Sequence, residues 1–214
     1  MNSSTFLVRE EKWINHYSSR HRILLVGEGD FSFALCLATA FGDASNIVAT
    51  SLDSEEMLGL KYNGAAAANI ALLKDKGCTI LHVVDACSMS LHPQLKHRKF
   101  DRIVFNFPHA GFIAREHDSY QISLHQNVVR GFMRNGCNMA TEKGEVHVTH
   151  KTAYPFSKWE IEELGQEAGL KLNGRADFWR WEYPGYVNRK GAGPRANETF
   201  PVGMCCTYKF VKSY

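Results

Sequence analysis

The stretch Ile23-Leu-Leu-Val-Gly-Glu-Gly-Asp-Phe-Ser-Phe33 predicts the fold of this chain. Its first four residues form a continuous apolar run, which is typical of a strand buried on both faces of a parallel sheet. Gly27 and Gly29 then allow a tight turn and the close approach of a ligand to the backbone. Apolar residues recur at helical spacing over Phe31–Phe41 and stop at Gly42, where a glycine C-cap is expected. The stretch therefore predicts a strand, a glycine turn and a helix, in that order.

The same alternation of strand and helix continues along the chain. Further strands are predicted over 46–52, 79–84, 100–105 and 144–149, and further helices over 54–76, 117–139 and 158–168. The last two strands, 170–178 and 204–210, have no helix between them, so they can pair antiparallel at the edge of a sheet. The predicted fold is α/β: a Rossmann-like class I methyltransferase sheet of seven mostly parallel strands, with a C-terminal antiparallel hairpin and helices on both faces.

Length and composition favour one domain. The chain has 214 residues, of which 44% are hydrophobic and 22% are charged, as is ordinary for a globular protein. Residues 1–20 are predicted to be a polar lead-in, and residues 21–214 a single methyltransferase domain. No apolar run approaches the roughly 18 residues that a membrane span requires, and the first residues lack the apolar core of a signal peptide. We therefore expect a soluble intracellular protein that does not bind membranes.

The cysteines and histidines do not form a metal-site pattern. The six cysteines contain no CxxC pair, and the ten histidines contain no HExxH pair. His147 and His150 are three residues apart in a predicted strand, so their side chains should lie on opposite faces. We expect no metal site, and we expect the cysteines to be reduced and mostly buried.

Acidic residues distinguish the glycine turn from a dinucleotide-binding loop. Ser32 occupies the position of the third glycine in the GxGxxG fingerprint. Glu28 and Asp30 would repel a pyrophosphate, so a cationic ligand without phosphates suits the loop better. S-adenosylmethionine (SAM), which carries a sulfonium and an amino group, is such a ligand. The alternative is a plain turn between a strand and a helix.

Acidic residues also follow the next two predicted strands. Asp53 lies close to the spacing of about 20 residues seen for ribose-binding acids, and Asp85 lies where the adenine end of such a cofactor would be. The alternative role of each is a cap. Because ligands of open α/β sheets bind at the carboxyl ends of the strands, we expect one cofactor pocket there. The expected cofactor-binding residues are Gly27, Glu28, Gly29, Asp30, Phe31, Ser32, Asp53, Asp85 and Asn106.

The fourth predicted strand is followed by the turn Asn106-Phe-Pro-His109. An amide and the carbonyls of a proline-fixed turn can accept hydrogen bonds from a ring or exocyclic N–H. The turn is similar to the (Asn/Asp/Ser)-Pro-Pro-(Tyr/Phe) signature of methyltransferases that act on planar nitrogens, with Phe107 and His109 as departures. His109 is a candidate base or a stacking ring, and a purely rigid turn is the alternative. The expected catalytic residues are Asn106, Pro108, His109 and, as the reserve base, Asp30.

Aromatic and cationic residues interleave over Phe178–Lys190, as in surfaces that stack bases and bind phosphates. The formal net charge of the chain is only +3. The segment 175–195 contains five basic and two acidic residues, so its own net charge is also +3. A localised basic segment fits a polyanionic partner. The alternative is an edge hairpin whose rings pack on the core. The expected RNA-binding residues are Tyr183, Tyr186, Arg189, Lys190 and Arg195.

Three stretches together resemble the eukaryotic large-subunit rRNA uridine-N3 methyltransferase family. They are the 23–33 stretch, Phe100-Asp-Arg-Ile-Val-Phe-Asn-Phe-Pro-His-Ala-Gly111 and Tyr183-Pro-Gly-Tyr186, and the similarity spans about 20–210. The resemblance implies a Rossmann-like fold, SAM as methyl donor and rRNA of the pre-ribosomal large subunit as partner. It also implies a nucleolar or nuclear location. Because the chain has no nuclear-localisation run, a cytoplasmic location stays open.

The resulting prediction is a SAM-dependent rRNA (uridine-N3)-methyltransferase. Two alternatives remain at this stage. One is a SAM-dependent N-methyltransferase that acts on another RNA or on a small molecule. The other is a catalytically silent RNA-binding member of the family.

Overall fold

The computed structural model describes residues 10–213, in which a seven-stranded sheet carries helices on both faces. In chain order the elements are β1 (Trp13–Ile14), β2 (Tyr17–Ser18), β3 (Ile23–Val26), α1 (Ser32–Phe41), β4 (Ile47–Thr50), α2 (Glu55–Tyr62), α3 (Ala65–Asp75), β5 (Thr79–Leu81), β6 (Phe100–Asn106), α4 (Ser119–Met139), β7 (Ala140–Lys151), α5 (Ile161–Glu167), β8 (Leu170–Asp177) and β9 (Cys205–Lys212). Short 3-10 turns lie at Met89–Leu91, Phe156–Trp159 and Arg180–Glu182.

The strand order of the central sheet is β5-β4-β3-β6-β7-β9-β8. Strands β3 to β7 pair in parallel, whereas β9 pairs antiparallel with both β7 and β8. This confirms the predicted seven-stranded, mostly parallel sheet with an antiparallel C-terminal hairpin. The chain moves outward in one direction from β3 to β5 and then returns to β6 on the other side of β3. The carboxyl ends of β3 and β6 therefore border the crevice in which open α/β sheets bind their ligands.

Two apolar cores lie on opposite faces of the sheet. Leu24 packs into the core under α4 and α5, and its neighbour Leu25 packs into the core under α1, α2 and α3. Successive side chains of a strand point to opposite faces. All four residues of β3 are buried, so the continuous apolar run reflects a strand covered on both sides, as predicted.

The predicted helix over 54–76 is two helices. Asn63 and Gly64 have φ values of 48° and 81°, in the left-handed region, and this ends α2 before α3 begins. Asparagine and glycine are the residues that adopt this conformation most readily. The break divides the predicted helix into two shorter ones of 8 and 11 residues.

The polar lead-in contains a small hairpin. Strands β1 and β2 pair antiparallel, and Tyr17 is buried in the core beside α1. The Tyr17 hydroxyl lies 3.2 Å from Nδ1 of His147 on β7. The sequence predicts only a polar lead-in at this point, because two-residue strands carry no measurable periodicity. The part of the lead-in before Glu10 lies outside the described residues.

The six cysteines form no disulfide within the described chain. Cys36, Cys78, Cys205 and Cys206 are buried, and Cys87 is exposed. Over residues 10–213 there is no cluster of three His, Cys, Asp or Glu side chains that could hold a metal ion. In the same range no helix has the length and apolarity needed to cross a membrane.

Candidate active site

Two adjoining cavities lie at the carboxyl ends of β3, β4 and β6. The smaller cavity has a volume of about 160 Å³ and the larger one of about 410 Å³. Phe107, His109 and Phe200 line both of them. The turn after β6 therefore separates two neighbouring spaces at the ligand-binding edge of the sheet.

Most of the predicted cofactor-binding residues line the smaller cavity. These are Gly27, Glu28, Gly29, Asp30, Ser32, Asp53 and Asn106. Phe31 is instead fully buried in the core beside α1. Asp85 lies outside the lining of both cavities, and its role at the adenine end of the cofactor stays a prediction. Strand β5 ends at Leu81, and Asp85 is an exposed residue that accepts a hydrogen bond of 2.8 Å from the Cys87 N–H.

The glycine turn after β3 is tightly packed against its neighbours. Gly27 has a φ of 68°, and a Cβ there would lie 2.3 Å from Cε2 of Phe105 on β6. A Cβ at Gly29 would lie 2.9 Å from the hydroxyl oxygen of Tyr62 on α2. At Gly27 the positive φ and the ring of Phe105 exclude a side chain, whereas at Gly29 only the Tyr62 hydroxyl would have to shift. Packing therefore requires Gly27, in addition to any need for a ligand to approach the backbone.

Asp30 and Asp53, two acidic residues of the smaller cavity, each form an ion pair with a basic side chain. Asp30 Oδ2 lies 2.7 Å from Nε of Arg189, and both carboxylate oxygens of Asp53 lie 2.8 Å from Nζ of Lys61. Lys61 also donates to the carbonyl oxygen of Gly191 at 3.2 Å. These contacts hold the 187–191 segment over the cavity. The alternative role of Asp53 was to cap the following helix. Ser54 caps that helix instead, because its side chain accepts a hydrogen bond from the Met57 N–H.

Glu28 contributes little negative charge to this cavity. Burial raises the pKa of its carboxyl group to about 8, with a further increase from Asp30 and an opposing effect of the hydrogen bond from the Ala34 N–H. The side chain is therefore mainly protonated at neutral pH. Ser32 also differs from its predicted role, because its Oγ accepts from the Val187 N–H at 3.0 Å and so fastens the covering segment.

Asn106, the last residue of β6, holds an unused hydrogen-bond acceptor. Its Oδ1 is buried and has no partner among residues 10–213. A buried carbonyl oxygen left unpaired costs about 1–3 kcal/mol, so a site of this kind is expected to be completed by a ligand N–H. Phe107 follows with a φ of 50°, which is strained for a non-glycine residue and marks the turn as a constrained part of the site.

Both ring nitrogens of His109 face the backbone. Nδ1 accepts a hydrogen bond of 3.0 Å from the Gly111 N–H. Nε2 lies against Gly191, where an added Cβ would be only 3.1 Å away from it. With Nδ1 as acceptor, a neutral ring carries its proton on Nε2 and has no free basic nitrogen. Burial, followed by the Lys61 ammonium, lowers the pKa of His109, and the backbone of Lys190 opposes this shift. The ring stacks on Phe112 with centroids 5.2 Å apart. This arrangement favours the stacking role over the base role.

The larger cavity is walled by aromatic rings from distant parts of the chain. Trp159 stacks on His125 with centroids 4.3 Å apart, and its centroid lies 4.1 Å from that of His150. Lys151 Nζ lies over the rings of Phe156 and Phe200. The sequence analysis missed all of these residues. They come from α4, β7, a 3-10 turn and a loop, and no spacing pattern connects them.

The predicted RNA-binding residues divide into three groups. Tyr183 and Tyr186 are only 3% and 8% exposed, so the prediction that these rings are on the surface is wrong. Tyr183 stacks on Phe178 in the core, with centroids 5.2 Å apart, which is the packing given as the alternative. Arg189 is engaged with Asp30 in the smaller cavity. Lys190 and Arg195 line the larger cavity, and the Arg195 side chain is 73% exposed.

Sheet order, the glycine turn and the two cavities at the switch point define a class I methyltransferase. Solved structures share this fold. TrmN from Thermus thermophilus superposes with a TM-score of 0.54 at 17% identity, over 90% of this chain and 44% of that one. A methyltransferase from Pyrococcus furiosus gives a TM-score of 0.55 at 15% identity, over 91% and 76%.

The chain belongs to the BMT5-like family, described as rRNA (uridine-N3-)-methyltransferase BTM5-like, whose model matches residues 24–190. An uncharacterized Arabidopsis thaliana protein is 55% identical over 95% of this chain and 98% of its own length. Heavy metal-associated isoprenylated plant protein 41 of Arabidopsis thaliana is 50% identical over 94% of this chain, which spans 39% of that protein. The 25S rRNA (uridine(2634)-N(3))-methyltransferase of Saccharomyces cerevisiae is 24% identical over 78% of this chain and 65% of its own length.

Proposed function

We propose that this protein transfers a methyl group from SAM to N3 of a uridine in large-subunit rRNA. One observation carries the proposal: in a member of the rRNA uridine-N3 methyltransferase family, two cavities adjoin at the turn after β6. We assign the smaller cavity to the cofactor and the larger one to the acceptor base. Asn106, Pro108 and His109 then lie at the boundary between the two.

The residues of the smaller cavity fit SAM. When bound, SAM supplies a methyl group attached to a positively charged sulfur. The Asp53 carboxylate can accept hydrogen bonds from ribose hydroxyls. The volume of about 160 Å³ is below the roughly 300 Å³ at which ligand pockets begin. We therefore expect the segment held by Arg189 and Lys61 to move outward when the cofactor binds.

The acceptor side of the site positions a planar ring. Uracil N3 carries a proton at neutral pH and must pass it to a base before the nitrogen can attack. Because His109 has no free basic nitrogen, the carboxylate of Asp30, the reserve base, is the remaining candidate to take that proton. Asn106 orients the imide by accepting its N–H, and the aromatic walls of the larger cavity exclude water. Such positioning and placement of charge supply most of the acceleration in a displacement of this kind.

A second candidate function has one observation in its favour. Arg189 and Lys61 pair with the two carboxylates, Asp30 and Asp53, that would otherwise face a cationic cofactor. A chain that holds these pairs permanently would bind RNA without binding SAM. It would be a catalytically silent member of the family.

Calorimetric titration of the full chain with S-adenosylhomocysteine separates the two candidates. We expect saturable binding at one site per chain. NADH is the control ligand, because Ser32 occupies the position of the third glycine of the dinucleotide fingerprint, and we expect no heat of binding from it. RNA binding without any binding of S-adenosylhomocysteine would reject the enzyme and select the silent member.

Two cations that line the larger cavity, the exposed Arg195 and the half-buried Lys190, are expected to contact RNA phosphates, and Lys190 would exchange its ion pair with Glu198 for such a contact. Replacing Lys190 and Arg195 together by alanine should weaken RNA binding and reduce the salt dependence of the affinity. Each lost contact with a single strand lowers the slope of log K against log salt by about 0.7, so the expected reduction is up to about 1.4. Fluorescence anisotropy over a salt series measures this slope.

One double variant serves as the control for the phosphate contacts. Lys74→Ala with Lys171→Ala removes two exposed lysines outside both cavities and should leave the slope unchanged. A slope that stays at the wild-type value after the Lys190 and Arg195 replacements would contradict the assignment.

A further inference from the structure

One buried side chain holds the loop that connects the turn after β6 to helix α4. Gln121 lies in the first turn of α4 and is fully buried. Its Oε1 accepts hydrogen bonds of 2.8 Å from the N–H groups of Ile113 and Ala114. Its Nε2 donates to the carbonyl oxygen of Gly111, also at 2.8 Å. These contacts lie on both sides of Phe112, so Gln121 fixes the backbone that carries this ring.

A second side chain of α4, His125, lies beside Gln121. Its Nδ1 is 3.0 Å from the backbone nitrogen of Ala110, and its Nε2 is 3.0 Å from Nε2 of Gln121. A neutral imidazole accepts a hydrogen bond at only one of its nitrogens, so His125 accepts from Ala110 or from Gln121 but not from both. The three backbone contacts of Gln121 are the same in either case. Gln121 is therefore the firmer anchor of the loop.

The anchored loop in turn holds His109. The Gly111 N–H donates to Nδ1 of His109 at 3.0 Å, and Gly111 has a φ of 77°, which favours glycine. With Nδ1 as acceptor, the proton of the neutral ring lies on Nε2. Nε2 faces the segment 187–191 that covers the smaller cavity, where His109 forms a hydrogen bond with the backbone of Lys190. One imidazole therefore connects the loop with the covering segment.

We propose that Gln121 is a positioning residue: through Gly111 it sets the tautomer and the orientation of His109 on the acceptor side of the site. The inference rests on the proposed function, because it treats the larger cavity as the place of the methyl acceptor. His109 and Phe112 stack with centroids 5.2 Å apart, and both line that cavity. Gln121 itself lines neither cavity, so it acts on the acceptor through these two rings.

A second buried amide on α4 provides the matched control. Asn135 accepts from the Ser90 N–H at 2.9 Å and donates to the carbonyl oxygens of Cys87 and Gly131 at 2.8 and 2.9 Å. It therefore makes as many backbone hydrogen bonds as Gln121, but the loop that it holds lines neither cavity. Replacing either amide by an apolar side chain leaves buried backbone groups unpaired and should destabilise the chain to a similar extent. Only the Gln121 variant should alter the acceptor side.

The first test needs no catalysis. Long-range ¹H–¹⁵N NMR spectra of the full chain at about pH 8, where a histidine is neutral, report the tautomer of each imidazole, and the spectrum of His109→Phe identifies His109. We expect the His109 proton on Nε2 in the wild type and in Asn135→Leu. Gln121→Met should shift it toward a mixture of both tautomers. A wild-type proton on Nδ1, or an unchanged tautomer in Gln121→Met, would overturn the proposal.

Methyl transfer to RNA provides the second test. At saturating RNA, Gln121→Met should lower kcat about 10- to 100-fold relative to Asn135→Leu, since a misplacement of about 1 Å can cost about 100-fold. The affinity for S-adenosylhomocysteine should stay within a few-fold of that of Asn135→Leu, because Asp53 is untouched. Equal kcat values in the two variants would overturn the role of Gln121 while leaving the methyltransferase intact. The expected tautomer shift in a chain whose wild type transfers no methyl group would reject the proposed function and retain the positioning of His109.

A second variant tests the same link if Gln121→Met does not fold. Gly111→Ala strains the backbone at a φ of 77°, whereas its Cβ would meet no atom of the described residues within 4 Å. It should therefore disturb the donor to His109 without a steric clash, and it should show the same tautomer shift and the same fall in kcat. Wild-type values of both quantities in Gly111→Ala would contradict the proposal.

Discussion

Replacing Asn106 by alanine is expected to slow methyl transfer about 10²- to 10³-fold while S-adenosylhomocysteine binds with nearly wild-type affinity. Asn106 ends β6, and its buried Oδ1 has no partner among the described residues. On the proposed mechanism the methyl acceptor supplies the missing N–H, so truncation would remove an orienting contact at the reacting nitrogen. The expected loss is the size found when one preorganised polar group is removed from an active site. Single-turnover rates and calorimetry on the same preparations provide the two measurements.

Two further variants make this result specific to the Oδ1 atom. Asn106→Asp retains an oxygen at the same place and should recover part of the rate. Asn197→Ala removes the other amide whose buried Oδ1 has no described partner, but this side chain lies outside both cavities. It should leave the rate unchanged. If affinity and rate fell together in Asn106→Ala, Asn106 would serve the cofactor rather than the acceptor.

Replacing Asp53 by alanine is expected to weaken S-adenosylhomocysteine binding by about 1.5–3 kcal/mol, which is about 10- to 100-fold. Asp53 follows β4 and lines the smaller cavity, where its carboxylate can accept from both hydroxyls of a ribose. Calorimetry measures the affinity, and thermal unfolding of each variant verifies that the chain is folded.

The ion pair of Asp53 with Lys61 makes a second control necessary. If the loss arose only from releasing Lys61, then Lys61→Met should weaken binding equally. On the present account Lys61→Met frees the carboxylate and leaves the affinity unchanged or increased. An unchanged affinity in Asp53→Ala would mean that the ribose lies elsewhere.

Sequence patterns predicted the sheet because burial leaves a signal in consecutive residues. The apolar run before Gly27 predicted a strand covered on both faces, and the structure places it inside the sheet, between β4 and β6. The same apolar runs located the polar residues that follow them, Asp53, Asp85 and Asn106, which indicated a ligand site. Asp53 and Asn106 do meet in one cavity, whereas Asp85 does not, because β5 ends earlier than its apolar residues suggest.

The acceptor side of the site could not be read from the sequence. His125, Lys151 and Trp159 come from three separate elements, and only the packing of α4 against β7 and the following 3-10 turn brings them together. The aromatic segment after β8 was misjudged for a related reason. Interleaved rings and cations are typical both of an RNA surface and of a hairpin that packs on the core. Tyr183 is buried against Phe178, a contact that composition does not reveal.

The most direct test of the account is to identify the methylated nucleoside. The full chain is incubated with methyl-labelled SAM and an unmodified transcript of a plant large-subunit rRNA, the choice of RNA following from the Arabidopsis thaliana relatives. The RNA is digested to nucleosides and separated by chromatography with mass detection, with Asn106→Ala as the control protein. We predict that the label co-elutes with 3-methyluridine for the wild type and is strongly reduced for the variant. Label found only in another nucleoside, or no label in the RNA, would contradict the account.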